Sequence, residues 1–327
     1  MTVNVGDVEK LAASPRVEQR RSRPPRKFFF TRLDMKFSPY VLVAPFFVLF
    51  GVFGMYPLFY TAYLSTRKYT LTGGDKGSVG LDNYREVLAD SHFWTAMGNT
   101  FGMFIMGTIP QLLLALLVAS WLNKRLRMRT ALRMGILLPN VASVAAVGIL
   151  CGLIFAERYG LANWVLQSVG LEAVQWRQHR WSSWLAISTM VNWRWIGYNA
   201  LIYLAAMQAI SKDLYESAAI DGASATRRFF QITLPLLQPT ILFTVIISTI
   251  GGMQLFTEPL LFDYGKPMGG SLNEFQTISM YIYETVFTNN YSAGYGAAIS
   301  WLLFMMIVLF ALLNFLMVRR SLRGSTQ

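Results

Sequence analysis

Apolar residues in this 327-residue chain are concentrated in six long runs separated by polar connections. Each run reaches the ~20 residues that an α-helix needs to cross the hydrocarbon core of a bilayer. The pattern therefore predicts an all-α membrane protein with six transmembrane helices, and no internal repeat stands out. The predicted spans cover residues 40–64, 96–122, 131–155, 183–209, 237–257 and 296–318.

Polar segments flank this apolar region at both ends. Residues 1–36 are basic and predict a disordered cytosolic tail, residues 37–320 form one transmembrane domain, and residues 321–327 form a second cytosolic tail. The first apolar run begins too late and is too long for a signal peptide, so we predict no cleavage.

Composition and charge agree with a membrane protein. The chain is 54% hydrophobic and 14% charged, whereas a soluble domain carries about 25% charged residues. Twenty of the 29 Lys and Arg residues lie in residues 1–36, in the connections 123–133 and 210–236, and after the last predicted span, in residues 319–327. Because positive residues accumulate on the cytosolic side, both termini and the 210–236 connection are predicted to be cytosolic. The same distribution explains the net charge of +12 without nucleic-acid binding.

The polar insert 211–235 carries the clearest signals in the chain for the start and the end of a helix. Ser211 is a good N-cap, and Gly222 permits the positive φ that ends a helix. Apolar residues return at helical spacing after this glycine until Pro235 opens the next span. The pattern predicts a helix, a turn and a second helix.

This insert resembles the E-A-A-x-x-x-G-x9-I-x-L-P signature of permease subunits of binding-protein-dependent ABC importers. Ser217 departs from the first Ala of the signature but is similarly small. The residues that match the signature are Glu216, Ala218, Gly222, Ile232, Leu234 and Pro235.

The resemblance implies a coupling helix that docks on a separate ATPase. Glu216 is expected to contact the ATPase, and Gly222 to set the turn. Tyr215, Ala218 and Ala219 fall on one small apolar face that can seat in a groove of the partner. The predicted coupling residues are Tyr215, Glu216, Ser217, Ala218, Ala219, Asp221, Gly222 and Ala223.

The fourth span carries polar groups that are costly inside a membrane. Asn192, Trp195 and Asn199 share one helical face, and amides with aromatic rings suit a sugar better than an ion or a peptide. Arg194 is predicted to be a structural ion partner, with Glu258 as its candidate counterion.

The Trp-Arg-x-x-Gly-Tyr-Asn stretch of the fourth span also resembles the maltose-type sugar permeases, and the chain as a whole resembles actinobacterial β-glucoside or cello-oligosaccharide permeases. This resemblance implies import of a di- or oligosaccharide, with cellobiose as a candidate. The predicted pathway residues are Asn192, Trp195, Tyr198, Asn199, Ser248, Gln254 and Asn140.

No catalytic motif accompanies these features. The chain has no phosphate-binding G-x-x-x-x-G-K-[ST] loop, no H-E-x-x-H and no C-x-x-C, and Cys151 lies alone in an apolar run. We therefore predict no enzyme activity, no metal site and no cofactor in this chain, with ATP and magnesium bound by the ATPase.

The resemblance implies a complex in the bacterial cytoplasmic membrane. Its other members are a second, homologous permease, two copies of the ATPase and an extracellular sugar-binding protein. Three alternatives remain: a permease for glycerol phosphate or another polyol, a secondary transporter that uses no ATP, and a membrane-embedded glycosyl-transfer enzyme.

Overall fold

A computed structural model describes residues 30–124, 126–289 and 292–324. Most of the basic tail predicted over residues 1–36 lies outside the described residues. The chain divides into two compact units, Met1–Pro57 and Leu58–Gln327.

Helices make up most of the described chain. In order they are α1 Phe30–Phe50, α2 Tyr56–Ser65, α3 Asp82–Ala89, α4 Ser91–Leu122, α5 Arg129–Val141, α6 Val144–Ile154, α7 Leu161–Ser168, α8 Arg180–Gln208, α9 Lys212–Ile220, α10 Ala225–Arg228, α11 Leu234–Leu236, α12 Gln238–Met253, α13 Thr257–Phe262, α14 Ile278–Glu284 and α15 Ala293–Gly324. Single π-helical turns occupy Gly51–Met55, Phe229–Thr233 and Thr285–Asn289.

The prediction of an all-α chain omitted a small β-hairpin in the connection after the first span. Strands β1 (Arg67–Thr70) and β2 (Gly74–Ser78) pair antiparallel. Arg67 and Asp75 form an ion pair across the hairpin at 2.5 Å. Glycines at the turn obscured the strand pattern in the sequence, because they remove the alternation that identifies strands.

Among the described residues, three helical segments are long and apolar enough to cross a membrane, and bent helix pairs raise the number to five. The clear segments are Phe37–Ser65, Ser91–Leu122 and Ala293–Leu316. One bent pair, α5 and α6, turns by 89° within the predicted span 131–155. The prediction of a single helix over residues 131–155 was therefore wrong, because two helices occupy this segment.

The physical reason for the break lies at the end of α5. Pro139 occupies the last turn of α5, where it lacks a backbone N–H. Ala142 then adopts an extended backbone, with φ −62° and ψ 144°, and α6 begins after Ser143. The apolar run continues across the break, which is why hydropathy did not show it.

Helices α4 and α8 pack against each other through much of their length and form the centre of the second unit. Ala115 and Ala119 of α4 and Ala200 of α8 are fully buried in one cluster, and such small residues let helices approach closely in membranes. Arg180 bonds Asn99 near the start of both helices at 2.8 Å. Leu122 at the end of α4 and Met207 at the end of α8 belong to the same buried cluster as these alanines. The starts and the ends of the two helices therefore lie together, so α4 and α8 run in the same direction.

A polar network around Asp90 lies at the start of α4, at the end of the helix bundle that is far from the insert. Asp90 accepts hydrogen bonds from the Tyr281 hydroxyl at 2.5 Å, the His92 amide at 2.8 Å and the Tyr295 hydroxyl at 3.1 Å. Partial burial by itself raises the pKa of Asp90, but these hydrogen bonds outweigh burial and lower its pKa below the usual value. The network ties α4 to α14 and α15.

Candidate translocation site and coupling segment

A cavity of about 260 Å³ lies among α4, α8, α12 and the start of α13. Five of the seven residues predicted for the substrate pathway line this cavity. They are Trp195, Tyr198, Asn199, Ser248 and Gln254. Residues from spans far apart in sequence therefore meet at one place.

The cavity-lining side chains of α8 differ in how far they are available to a ligand. Trp195 and Tyr198 meet edge to face with ring centres 5.7 Å apart, and Tyr198 is 40% exposed. The Asn199 side-chain nitrogen donates to the Trp195 carbonyl at 3.3 Å. Part of the hydrogen-bonding capacity of Asn199 is thus used within its own helix, while Tyr198 faces open space.

Sequence reasoning missed the contribution of α4 to this cavity. Gln111 and Thr108 both line it, and the Gln111 amide donates to the Ser248 hydroxyl at 3.4 Å. Both residues are buried polar groups inside an apolar span. A polar residue directly after Pro110, at a depth where polar groups are expensive, was the signal that could have identified Gln111.

Two predicted pathway residues lie outside the cavity lining. Asn192 is half-buried on α8, and its side-chain oxygen is buried without a hydrogen-bond partner in the described part of the chain. Asn140 lies near the end of α5, beside the bend that hydropathy did not reveal. The prediction that Asn192 lines the pathway together with Trp195 and Asn199 rested on their shared helical face, but only Trp195 and Asn199 line the cavity.

An ion pair lies at the border of the cavity. The Arg194 guanidinium donates to the Glu258 carboxylate at 2.6 Å, and the two side chains are 12% and 10% exposed. This confirms the predicted partner of Arg194. Glu258 lines the cavity, and its negative charge is compensated by Arg194 of α8.

The 211–235 insert folds as a helix, a turn and a second helix, as predicted. The Ser211 hydroxyl accepts a hydrogen bond from the Asp213 amide at 3.3 Å and caps α9. Gly222 has a φ of +76°, and the Ala223 amide bonds the Ala218 carbonyl at 2.9 Å. This is a helix end of the type that glycine favours.

The predicted small apolar face of α9 is divided in the structure. The Tyr215 hydroxyl bonds Thr233 at 2.8 Å and so points toward the chain itself, and Ala218 is half-buried. Glu216 and Ala219 are exposed. The remaining coupling candidates are mostly exposed as well: Ser217, Asp221 and Gly222 are open, and Ala223 is half-buried.

The second helix of the insert does not end where the sequence suggested. It contains the π-helical turn Phe229–Thr233 and continues past Pro235 to Leu236. Pro235 follows directly after this π-helical turn, where the regular α-helical hydrogen-bond pattern is already interrupted and a residue without a backbone N–H is accommodated. The bend of 66° to α12 follows Leu236.

Comparison with known proteins assigns this architecture. Residues 111–320 match the family described as binding-protein-dependent transport system inner membrane component. The arabinooligosaccharides transport system permease protein AraP of Halalkalibacterium halodurans is 35% identical over 294 residues, which are 89% of this chain and 90% of that protein. The lactose transport system permease protein LacF of Rhizobium radiobacter is 35% identical over 283 residues, which are 86% of this chain and 93% of that protein.

The fold is also found in a solved structure. A chain of the bacterial alginate ABC transporter, in complex with an alginate pentasaccharide-bound periplasmic protein, superposes with a TM-score of 0.75 at 21% identity. The match covers 90% of this chain and 98% of that chain. The chain therefore belongs to the family of binding-protein-dependent transport system inner membrane components.

Proposed function

We propose that this protein is the transmembrane subunit of an ATP-driven importer for a neutral di- or oligosaccharide, and that the cavity between α4, α8 and α12 forms half of its translocation pathway. Relatives named for transport of arabino-oligosaccharides and lactose support the carbohydrate class. A second, homologous permease would complete the pathway, because a cavity of about 260 Å³ is at the small end for binding even a drug-sized ligand.

The chemistry of the cavity is the observation that carries this proposal. Hydroxyls and amides, including Gln111 and Ser248, stand beside the rings of Trp195 and Tyr198. A sugar presents hydroxyls to such amides and its C–H faces to such rings. No lining residue described here is Lys or Arg, and Glu258 is neutralised by Arg194. A neutral ligand therefore meets no uncompensated charge.

The proposed topology has six spans with both termini in the cytosol of a bacterial cell. It counts α5 with α6 as one span, takes α12 without the preceding helix of the insert as another, and adds α8, whose 29 residues are long enough to cross a bilayer. The shared direction of α4 and α8 supports it, because the basic connection after α4 and the insert after α8 then lie at the same end. The positive-inside bias places that end in the cytosol.

The proposed coupling runs through the exposed surface of α9 and its turn. Glu216 is exposed, and the neighbouring Ile220 is 88% exposed, which is a large solvent-facing apolar area for a nine-residue helix. We assign this surface to a separate ATPase, present in two copies, that binds ATP and magnesium. An extracellular sugar-binding protein would deliver the substrate.

Glycerol phosphate and other polyols are the second candidate class of substrate. A phosphate group calls for cationic partners, and the absence of Lys and Arg among the described cavity-lining residues favours a neutral sugar. The proposed order of preference is therefore a neutral oligosaccharide before a phosphate ester, with cellobiose as one member of the first class.

Uptake by cells tests the substrate class. Cells that lack the gene are compared with complemented cells for uptake of radiolabelled arabinobiose, lactose, cellobiose and glycerol 3-phosphate. We expect the chain to restore uptake of one or more neutral sugars. Restoration of glycerol phosphate uptake alone would overturn the substrate assignment.

A further inference from the structure

A second cavity, of about 480 Å³, lies where the insert meets the ends of α4 and α8. Its lining includes Ser120 from the end of α4, Lys124 just after that helix, Met207 from the end of α8, and Tyr215 and Arg228 from the insert. It is separate from the proposed sugar pathway, with which it shares no lining residue.

The charges around this cavity all have one sign. Lys124 and Arg228 line it, and no lining residue is Asp or Glu. Neither cation has a carboxylate within ion-pair distance in the described part of the chain. The Arg228 guanidinium has one weak hydrogen bond there, to the Tyr215 carbonyl at 3.4 Å. The cavity thus carries positive charge that no carboxylate compensates in the described part of the chain.

Neutral hydrogen-bonding groups complete the lining. The Ser120 hydroxyl oxygen is buried and has no hydrogen-bond partner among the described residues, a situation that is unfavourable and leaves this group available to a ligand. Tyr215 and Thr233 share a hydrogen bond at 2.8 Å, which uses one of their two hydroxyl hydrogens. The other hydrogen can be donated to a ligand.

The lining also includes apolar side chains. Met207 and Phe229 contribute to it, and Met207 is almost fully buried. The volume lies in the range of sites for organic ligands and exceeds what an inorganic ion needs. An ester that carries both a phosphate and an organic group matches the cationic and the apolar parts of this lining.

We propose that this cavity binds a phosphate-bearing anion, either a phospholipid headgroup or a soluble phosphate ester. Guanidinium and ammonium groups are the side chains that bind phosphate most strongly. Basic pockets between membrane helices on the cytosolic side are suited to anionic headgroups. The cytosolic position rests on the proposed topology, whereas the cation pair and its lining do not.

Such a ligand would connect the membrane helices to the coupling segment. Lys124 follows the end of α4, while Arg228 and Tyr215 belong to the insert, so one phosphate held by both cations would bridge the two parts. Occupancy is expected to stabilise one position of the insert against the spans. A permease with an empty cavity is expected to couple less tightly to its ATPase.

Binding is tested on the purified complex of this chain with its partner permease and ATPase. The double variant Lys124→Gln/Arg228→Gln is compared with wild type and with Arg227→Gln, a matched control whose side chain is exposed, bonds Gln231 and does not line the cavity. The charge-conserving variant Lys124→Arg/Arg228→Lys separates loss of charge from loss of folding.

Two arms distinguish the sources of the ligand. In the first, native mass spectrometry counts phosphatidylglycerol retained by complexes taken from mixed phosphatidylglycerol and phosphatidylcholine nanodiscs. In the second, the dissociation constants of glucose 6-phosphate and inorganic phosphate are measured in detergent. We expect one arm to show binding that is weakened about tenfold or more by the glutamine variant and retained by both controls.

Retention of phosphatidylglycerol identifies the lipid, and binding of glucose 6-phosphate identifies a soluble ester. Equal binding by wild type and the glutamine variant in both arms, including no binding at all, would overturn the proposal. Neither arm measures sugar uptake, so failure here is distinguishable from failure of the proposed transport function.

Discussion

The Arg194 guanidinium on α8 and the Glu258 carboxylate at the start of α13 form an ion pair at 2.6 Å that is almost excluded from solvent. They are separated by 64 residues, so the pair fixes the connection after α12 against the central helix. Because Glu258 also lines the cavity, the same contact removes a net charge from the proposed sugar pathway.

Removing one member of this pair should destabilise the protein strongly. Either Arg194→Gln or Glu258→Gln leaves a buried charge without its partner, at a cost of about 3–5 kcal/mol. The double variant should cost less than the sum of the two. Thermal unfolding in detergent measures each variant. The exposed pair Arg85–Asp82 serves as a control, and Arg85→Gln should cost at most about 1 kcal/mol. Strictly additive single variants would contradict the coupling.

Truncating Tyr198 should weaken sugar recognition. Tyr198→Ala removes a ring and a hydroxyl from the cavity lining, and we expect KM for uptake to rise about tenfold while membrane abundance is unchanged. Trp193→Ala is the matched control, because Trp193 is half exposed on the same helix and lies outside the cavity. An unchanged KM across a full concentration series, or an equal effect of both variants, would argue against the site.

A side chain at Gly222 should detach the ATPase. Gly222 has a φ of +76° and open space around its Cα, so Gly222→Val adds backbone strain of about 1–2 kcal/mol without a steric clash. We expect reduced co-purification of the ATPase and reduced uptake. Gly170→Val provides a matched control, since Gly170 has a φ of +83° and equally open surroundings but lies outside the insert. Normal ATPase recovery with Gly222→Val would exclude the proposed role.

Asp90 should make stability depend on pH in the acidic range. Its pKa is lowered in the folded protein, so its contribution is complete above the unfolded pKa of about 3.9 and is lost as pH falls through the folded pKa. Asp90→Asn should therefore lower Tm at pH 7, and the difference from wild type should shrink as the pH falls below about 4. A difference that stays constant over this range would show that the carboxylate charge is not responsible.

Hydrophobic runs predicted the positions of three helical segments that are long and apolar enough to cross a membrane, and local turn chemistry predicted the insert. Ser211 and Gly222 act through their own backbone neighbours, so their roles can be identified from adjacent residues. The 89° bend at Ala142 could not be predicted from hydropathy, since the polar residues Asn140 and Ser143 are too few to interrupt the apolar run 131–155. Gln111 was missed because its significance depends on Ser248, a contact 137 residues away. The inward turn of Tyr215 likewise depends on Thr233 in the next helix.

Transport in proteoliposomes tests the central claim most directly. The chain and its partner permease are reconstituted with the binding protein, with or without the ATPase, and labelled sugar uptake is measured with ATP supplied on the ATPase side. The account predicts accumulation only when ATPase and ATP are both present, and its loss when Glu216→Lys reverses the charge on the exposed face of α9. Equal sugar accumulation without the ATPase would contradict the account and favour a secondary transporter.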